Sequence, residues 1–193
     1  MDPPISHPAR PSAEEKTAAI ERSSVTVVLG GGGAKGIVHI GVLKAVDAEG
    51  LAIEAIVGTS IGAIWAALFA KIIALECGGA VSPQSTAIAS VERIAYQLRF
   101  KDYRDLNTRR LFRGGLIRGD KFAEWLTNMF WHRDDRRPLI FADIPFDLKI
   151  TATNAATGES VLFDSRRTPT VQVATAVRAS MSIPGFFCDV AVD

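Results

Sequence analysis

Gly58-Thr59-Ser60-Ile61-Gly62 places a serine between two glycines, at the junction of a short β-branched run and a long apolar one. A G-x-S-x-G at a strand-to-helix junction forces its serine onto a sharp turn. The hydroxyl then stands exposed at a helix N-terminus, where it serves as a nucleophile in acyl transfer. The bland alternative is a glycine-rich turn whose serine only caps the helix. A second glycine cluster, Gly30-Gly31-Gly32-Gly33-Ala34-Lys35-Gly36, lies upstream, again between a strand-like and a helix-like segment. Consecutive amides at a helix start hold a phosphate or the oxyanion of an acyl-transfer transition state. Lys35 adds a positive charge beside them, or is simply an exposed lysine at a helix start.

The same glycines also match the dinucleotide fingerprint G-x-G-x-x-G. That rival reading requires an acidic residue at the tip of the second strand. Here the second strand runs from Ile56-Val57-Gly58 directly into the serine turn, and Glu54 lies inside it. A P-loop fails because Ile37 follows Gly36, where Lys-Ser/Thr is needed. The oxyanion reading is preferred, with a Rossmann-type binding module as the competing class. As general bases the histidines are weak candidates. His7 lies near the N-terminus, His39 on a helix face, and His132 in the charged run Trp131-His132-Arg133-Asp134.

The elements that must hold these motifs follow from periodicity. Ser24 to Leu29 reads as a strand stopped by glycines, and the apolar spacing from Ile37 to Val46 as a helix ended by Gly50. Ile53 to Val57 is a second strand, and Ala63 to about Glu76 a second helix. Gly78 to Ser85 reads as a loop and Ser90 to Asp135 as helix in pieces. Phe146 to Thr153 and Ser160 to Phe163 read as strands around a turn at Thr157-Gly158. Thr170 to Met181 reads as a helix, and Phe186 to Asp193 as a last strand. Strand and helix alternate in the first half, the mark of a parallel sheet flanked by helices.

Composition bounds the rest. With 193 residues, 48% hydrophobic and 22% charged, the chain suits one α/β domain with its own core. A net charge of +1 gives no global pull toward nucleic acid. Met1 to Lys16 is rich in Pro, Ser and charge and lacks the apolar run of a signal peptide, so residues 1–23 are expected to be a disordered tail before a domain over 24–193. Ile56 to Leu75 approaches membrane-spanning length, but Gly58, Thr59, Ser60, Gly62 and Lys71 break it, and a buried strand end, a turn and a buried helix fit better. The expected location is cytoplasmic, peripheral at a membrane surface. Cys77 and Cys188 read as buried hydrophobes, with no metal spacing. From Arg99 to Arg137, eleven Lys/Arg face six Asp/Glu. That excess reads as a solvated cap or as a surface for anionic headgroups.

Taken together, the motifs resemble the patatin-like phospholipases, from Val25 almost to the end. The resemblance rests on Gly31-Gly32-Gly33-Ala34-Lys35-Gly36, on Ile37-Val38-His39-Ile40-Gly41-Val42-Leu43, and on Gly58-Thr59-Ser60-Ile61-Gly62-Ala63. It extends to Thr151-Ala152-Thr153-Asn154 with Thr157-Gly158-Glu159, and to Ala179-Ser180-Met181-Ser182-Ile183-Pro184-Gly185-Phe186-Phe187. It implies a three-layer α/β/α sandwich with a mainly parallel sheet, and a phospholipase A-type serine esterase acting on phospholipid or another acyl-ester lipid. It further implies a Ser–Asp dyad with Ser60 as nucleophile, the Gly32 and Gly33 amides as oxyanion donors, and no metal or organic cofactor. One block departs from the pattern. The family's base aspartate stands in an Asp-Gly-Gly or Asp-Gly-Ala turn, and this sequence contains no Asp-Gly dipeptide. Asp189 and Asp193 are the nearest acids. The expectation is a domain ending before its base, with little hydrolysis of its own and poor solubility, or a non-catalytic relative that binds lipid.

Overall fold

The structure is a computed structural model that describes residues 23–77, 83–99, 102, 119–132, 134–183 and 190–192. Strand β1 (Ser24–Leu29) pairs in parallel with β2 (Ala52–Thr59), from Ser24 opposite Ala52 to Leu29 opposite Gly58, with a one-residue register shift between Val25 and Thr26. Strand β2 pairs in parallel with the strand Asp147–Thr153, and Thr59 lies opposite Thr151. Ser160–Phe163 returns antiparallel on that strand, and the sheet order puts β1 at one edge and Ser160–Phe163 at the other. The hairpin turn is set by Asn154, whose Oδ1 accepts the N–H groups of Ala156 and Thr157, and by Gly158 at φ 74°. This is the mainly parallel α/β sheet expected from the sequence.

The connections carry the helices. Strand β1 leads through the glycine cluster into α1 (Val38–Ala48), and β2 leads through Ser60 into α2 (Ile61–Lys71). Every residue of α2 from Ile61 to Ala70 is buried. A helix apolar on all sides belongs in a core, and α2 packs on β1, β2 and Asp147–Thr153. That is why the apolar run is no membrane span: none of the helices among the described residues is long and apolar enough to cross a membrane. A single π turn, Ile72–Glu76, extends α2. Then come α3 (Pro83–Gln97), α4 (Asp120–Met129), a two-stranded ribbon of β3 (Trp131–His132) and β4 (Arg137–Pro138), the sheet strands β5 (Asp147–Thr153) and β6 (Ser160–Phe163), and α5 (Val173–Met181).

Three boundaries differ from the sequence expectation. Helix α3 begins at Pro83, inside the expected loop, because proline suits a first helical position whose N–H would be unsatisfied anyway. Strand β3 of the β3–β4 ribbon falls inside the region Ser90 to Asp135 expected to be helical in pieces, and β4 lies just beyond it. Phe130 and Leu139 flank the ribbon, both fully buried and joined by a 2.8 Å backbone bond, which turns the chain back. Helix α5 starts after Thr170, because Val171 accepts the Phe141 N–H and Gln172 bridges Ile140. The expected strand Phe186 to Asp193 lies mostly outside the described residues, and the described 190–192 form no regular element. The expected tail also lies outside them, apart from Ser23.

Candidate active site at the carboxyl ends of β1 and β2

Parallel pairing with Leu29 opposite Gly58 brings the carboxyl ends of β1 and β2 side by side. The glycine loop follows one end and the Ser60 turn the other. In open α/β sheets this edge is where ligands bind. Ser60 sits at φ 55°, ψ −122°, a backbone conformation that a side-chain-bearing residue rarely adopts. Such a conformation costs on the order of 1–3 kcal/mol and persists only where neighbours enforce it. Its side chain makes no capping hydrogen bond to α2. The reading of Ser60 as a mere helix cap therefore loses its geometric basis.

Close approach explains why glycine stands on both sides of the serine. A Cβ on Gly58 would lie 2.5 Å from the Ala63 Cα, and one on Gly62 would lie 2.1 Å from the Leu29 carbonyl oxygen. The second contact joins the turn after β2 to the end of β1. The glycine loop locks into the same joint: a Cβ on Gly36 would lie 2.4 Å from the Ile61 side chain, and one on Gly31 would lie 3.6 Å from the Ser60 Cβ. Thr59, Ile61 and Gly62 thus act through packing. Thr59 Oγ1 also lies 2.6 Å from Thr151 Oγ1 on the paired strand.

The loop is pinned at both ends by ring nitrogens. His39 Nε2 donates to the Gly30 carbonyl at 2.9 Å, and the buried Trp65 Nε1 donates to the Gly36 carbonyl at 3.1 Å. Between them the Lys35 N–H donates to the Gly32 carbonyl, and Gly33 takes φ 54°. The N–H groups of Gly31, Gly32 and Gly33 make no hydrogen bond among the described residues. Lys35 is exposed. The roles of His39 and Trp65 were not visible in the sequence: one reads as a helix-face residue and the other as core. A histidine at the second position of the helix that follows a glycine loop was the available signal.

The remaining candidates disperse. His132 lines a cavity of about 410 Å³ with Lys71, Leu75 and Glu76, at the far end of α2. Eleven helical residues span about 16 Å, so His132 stands well away from Ser60. Its Nδ1 accepts the Asp135 N–H. A Ser–His arrangement has no geometric support. Glu54 accepts from Ser24 Oγ at 2.6 Å, beside the amino end of the sheet. It cannot serve as the ribose-binding acid that a dinucleotide site needs at the strand tip. Asp189 and Asp193 lie outside the described residues. Among the described residues, no carboxylate or imidazole hydrogen-bonds Ser60.

Other buried or paired charges are structural. Asp143 takes both Arg137 guanidinium nitrogens at 2.7 and 2.8 Å and caps Ile140 N–H. The Arg137 bond, followed by the Ile140 N–H, holds its carboxyl below the usual range against the effect of burial. At Asp164, burial alone would raise the carboxyl, but the Arg167 and Arg166 N–H groups and nearby cations lower it on balance. Both are turn-forming groups. Cys77 is buried, and burial followed by the Glu76 charge raises its thiol. Part of the basic excess is consumed in such pairs, including Arg137–Asp143 and Arg99–Asp102.

The comparisons fit this geometry. A family model described as "Patatin-like phospholipase" matches residues 27–193. A lysophospholipase NTE1 from Coccidioides immitis is 45% identical over 78 residues, which are 40% of this chain and 5% of the relative. A lysophospholipase NTE1 from Cryptococcus neoformans var. neoformans is 40% identical over 96 residues, 47% of this chain and 6% of the relative. The chain thus spans a small fraction of the curated relatives it matches. Among solved structures, the type III effector protein ExoU superposes with TM-score 0.54 at 19% identity, over 83% of this chain and 39% of that one. The full-length ExoU of Pseudomonas aeruginosa in complex with SpcU gives 0.53 at 22%, over 83% and 38%. These structural likenesses establish the α/β fold.

Proposed function

Because the chain belongs to the patatin-like phospholipase family, we propose that it is a serine-dependent lipid acyl hydrolase with Ser60 as nucleophile. The observation that carries the proposal is Ser60 at φ 55°, uncapped, beside the glycine loop, where a Cβ on Gly31 would lie 3.6 Å from the Ser60 Cβ. Ser60 Oγ attacks the ester carbonyl and gives its proton to a base. The carbonyl oxygen becomes an oxyanion held by the amides of Gly31, Gly32 and Gly33, and one such donor is worth on the order of 10²–10³ in turnover. The leaving alcohol departs protonated, water then attacks the acyl-serine, and the fatty acid is released. Lys35 and the N-terminus of α2 add positive potential at the same edge. The base would be an aspartate, as the family resemblance implies; among the described residues no carboxylate hydrogen-bonds Ser60.

The substrate class is an acyl ester of a membrane lipid; relatives named lysophospholipases make lysophospholipid the first choice. No cofactor or metal enters this reaction. The domain would act peripherally on a membrane from the cytoplasm. A second reading, lipid binding without turnover, is favoured by the lack of a described base at Ser60. Fatty-acid release from lysophosphatidylcholine separates the two. Release that disappears in Ser60→Ala supports hydrolysis; release equal in wild type and Ser60→Ala overturns it. Reaction of Ser60 with a fluorophosphonate in the absence of any release favours the second reading.

A further inference from the structure

The strained backbone of Ser60 needs a restraint on each of its two peptide groups. On the carboxyl side, the Ser60 carbonyl accepts the Ala63 N–H at 2.9 Å, within the first turn of α2. On the amino side, the Ser60 N–H donates to Ser180 Oγ at 2.7 Å. Ser180 belongs to α5, 120 residues along the chain, so this bond ties the β2–α2 turn to a different element. We infer that Ser180 is the positioning residue of the nucleophile: its hydroxyl holds the Thr59–Ser60 peptide in the orientation that keeps Ser60 at positive φ.

Three observations support the assignment. Helix α5 is a rigid mount, with Val173, Ala174, Ala176, Val177 and Arg178 buried. Its end is tied down by Ser182 Oγ, which donates to the Arg178 carbonyl and accepts from the Arg178 guanidinium. Helix α5 packs on α2, which follows the Ser60 turn, and on β5, the sheet neighbour of β2. On the same side of the turn, the Thr59 hydroxyl lies 2.6 Å from the Thr151 hydroxyl, so the residue before Ser60 is tied to β5 as well. The bond also has a chemical consequence. With its own amide committed to Ser180, Ser60 offers no N–H to an oxyanion, so that task falls to the glycine-loop amides. Alanine at 180 would leave a part-buried N–H unsatisfied and let φ relax toward the common regions. A displacement near 1 Å at a reacting atom lowers rates on the order of 10²-fold.

The inference rests on Ser60 being the nucleophile, and the test keeps the two claims separate. Rates of Ser60 phosphonylation by a fluorophosphonate are measured for the full chain as wild type, Ser180→Ala and Ser180→Thr, beside amide hydrogen exchange at Ser60. Ser180→Ala is expected to slow phosphonylation about 10–100-fold. It should also speed exchange at the Ser60 amide about tenfold or more, with the β2 amides from Ile53 to Val57 unchanged. Ser180→Thr keeps the hydroxyl and restores both. A global loss of folding would raise exchange along all of β2, and the threonine variant then decides alone: failure to restore overturns the proposal. Equal phosphonylation and equal Ser60 exchange in wild type and Ser180→Ala also overturn it. If no variant takes label, the hydrolase reading fails, and the exchange comparison still decides whether Ser180 restrains the turn.

Discussion

Gly62→Ala tests the joint between the serine turn and the glycine loop. The new Cβ would stand 2.1 Å from the Leu29 carbonyl oxygen, 2.6 Å from its carbon and 2.7 Å from the Gly30 oxygen. Carbon–oxygen contacts settle near 3.3 Å or more, so β1 and the loop must retreat from α2 by about 1 Å. No flexible side chain can absorb this, because all three atoms are backbone and Leu29 is itself 1% exposed. Overpacking of this kind costs about 1–3 kcal/mol or more. For a domain of this size that lowers the melting temperature by roughly 2–12 °C. The retreat also separates Gly31 from Ser60, so phosphonylation should fall on the order of 10²-fold. Gly41→Ala is the paired control. Gly41 lies within α1 with open space around its Cβ position, and alanine there should stabilise by about 0.8–1 kcal/mol. Calorimetry of the two variants reads both signs. A Gly62→Ala protein that melts and reacts like the wild type would refute the interlocked geometry.

Trp65→Phe removes the N–H that satisfies the buried Gly36 carbonyl, and should cost about 1–3 kcal/mol in chemical unfolding, with unchanged m-value. His39→Gln keeps a donor for the Gly30 carbonyl and His39→Phe does not; kcat on lysophosphatidylcholine should fall in the phenylalanine variant alone, at near-constant KM. The Asp143 carboxyl is depressed in the folded state. Its contribution to stability is therefore present above the unfolded-state pKa and is lost as pH falls through the folded value. Asp143→Asn should melt below the wild type near neutral pH, and the gap should close progressively under acid titration.

Much of the fold was legible because the signals were local. The β-branched run Ser24–Leu29 stops where glycine stops it, and the hairpin Asp147–Phe163 closes on an Asn154/Gly158 turn that the residues spell out. The apolar run from Ile61 to Ala70 was legible as a core helix and not a membrane span, because Gly58, Ser60, Gly62 and Lys71 interrupt the longer stretch. The β3–β4 ribbon and the true start of α5 were not legible. Both are set by partners far along the chain: Phe130 with Leu139 and Ile140 with Gln172. The site shows the same division. Ser60 and the glycines announce themselves by type and spacing. The residues that hold them, Ser180, His39 and Trp65, are ordinary in sequence and gain their roles only when α5, α1 and α2 fold against the two carboxyl-end turns.

The central claim is that Ser60 is an activated nucleophile at the joint of two glycine turns. The most direct measurement is mass-spectrometric mapping of the adduct formed when the intact chain meets a fluorophosphonate. The account predicts one phosphonyl group per chain on the peptide that contains Gly58 to Gly62, at Ser60, and none in Ser60→Ala. An adduct on any other residue, or an Ser60→Ala chain that labels as fast as the wild type, would contradict it.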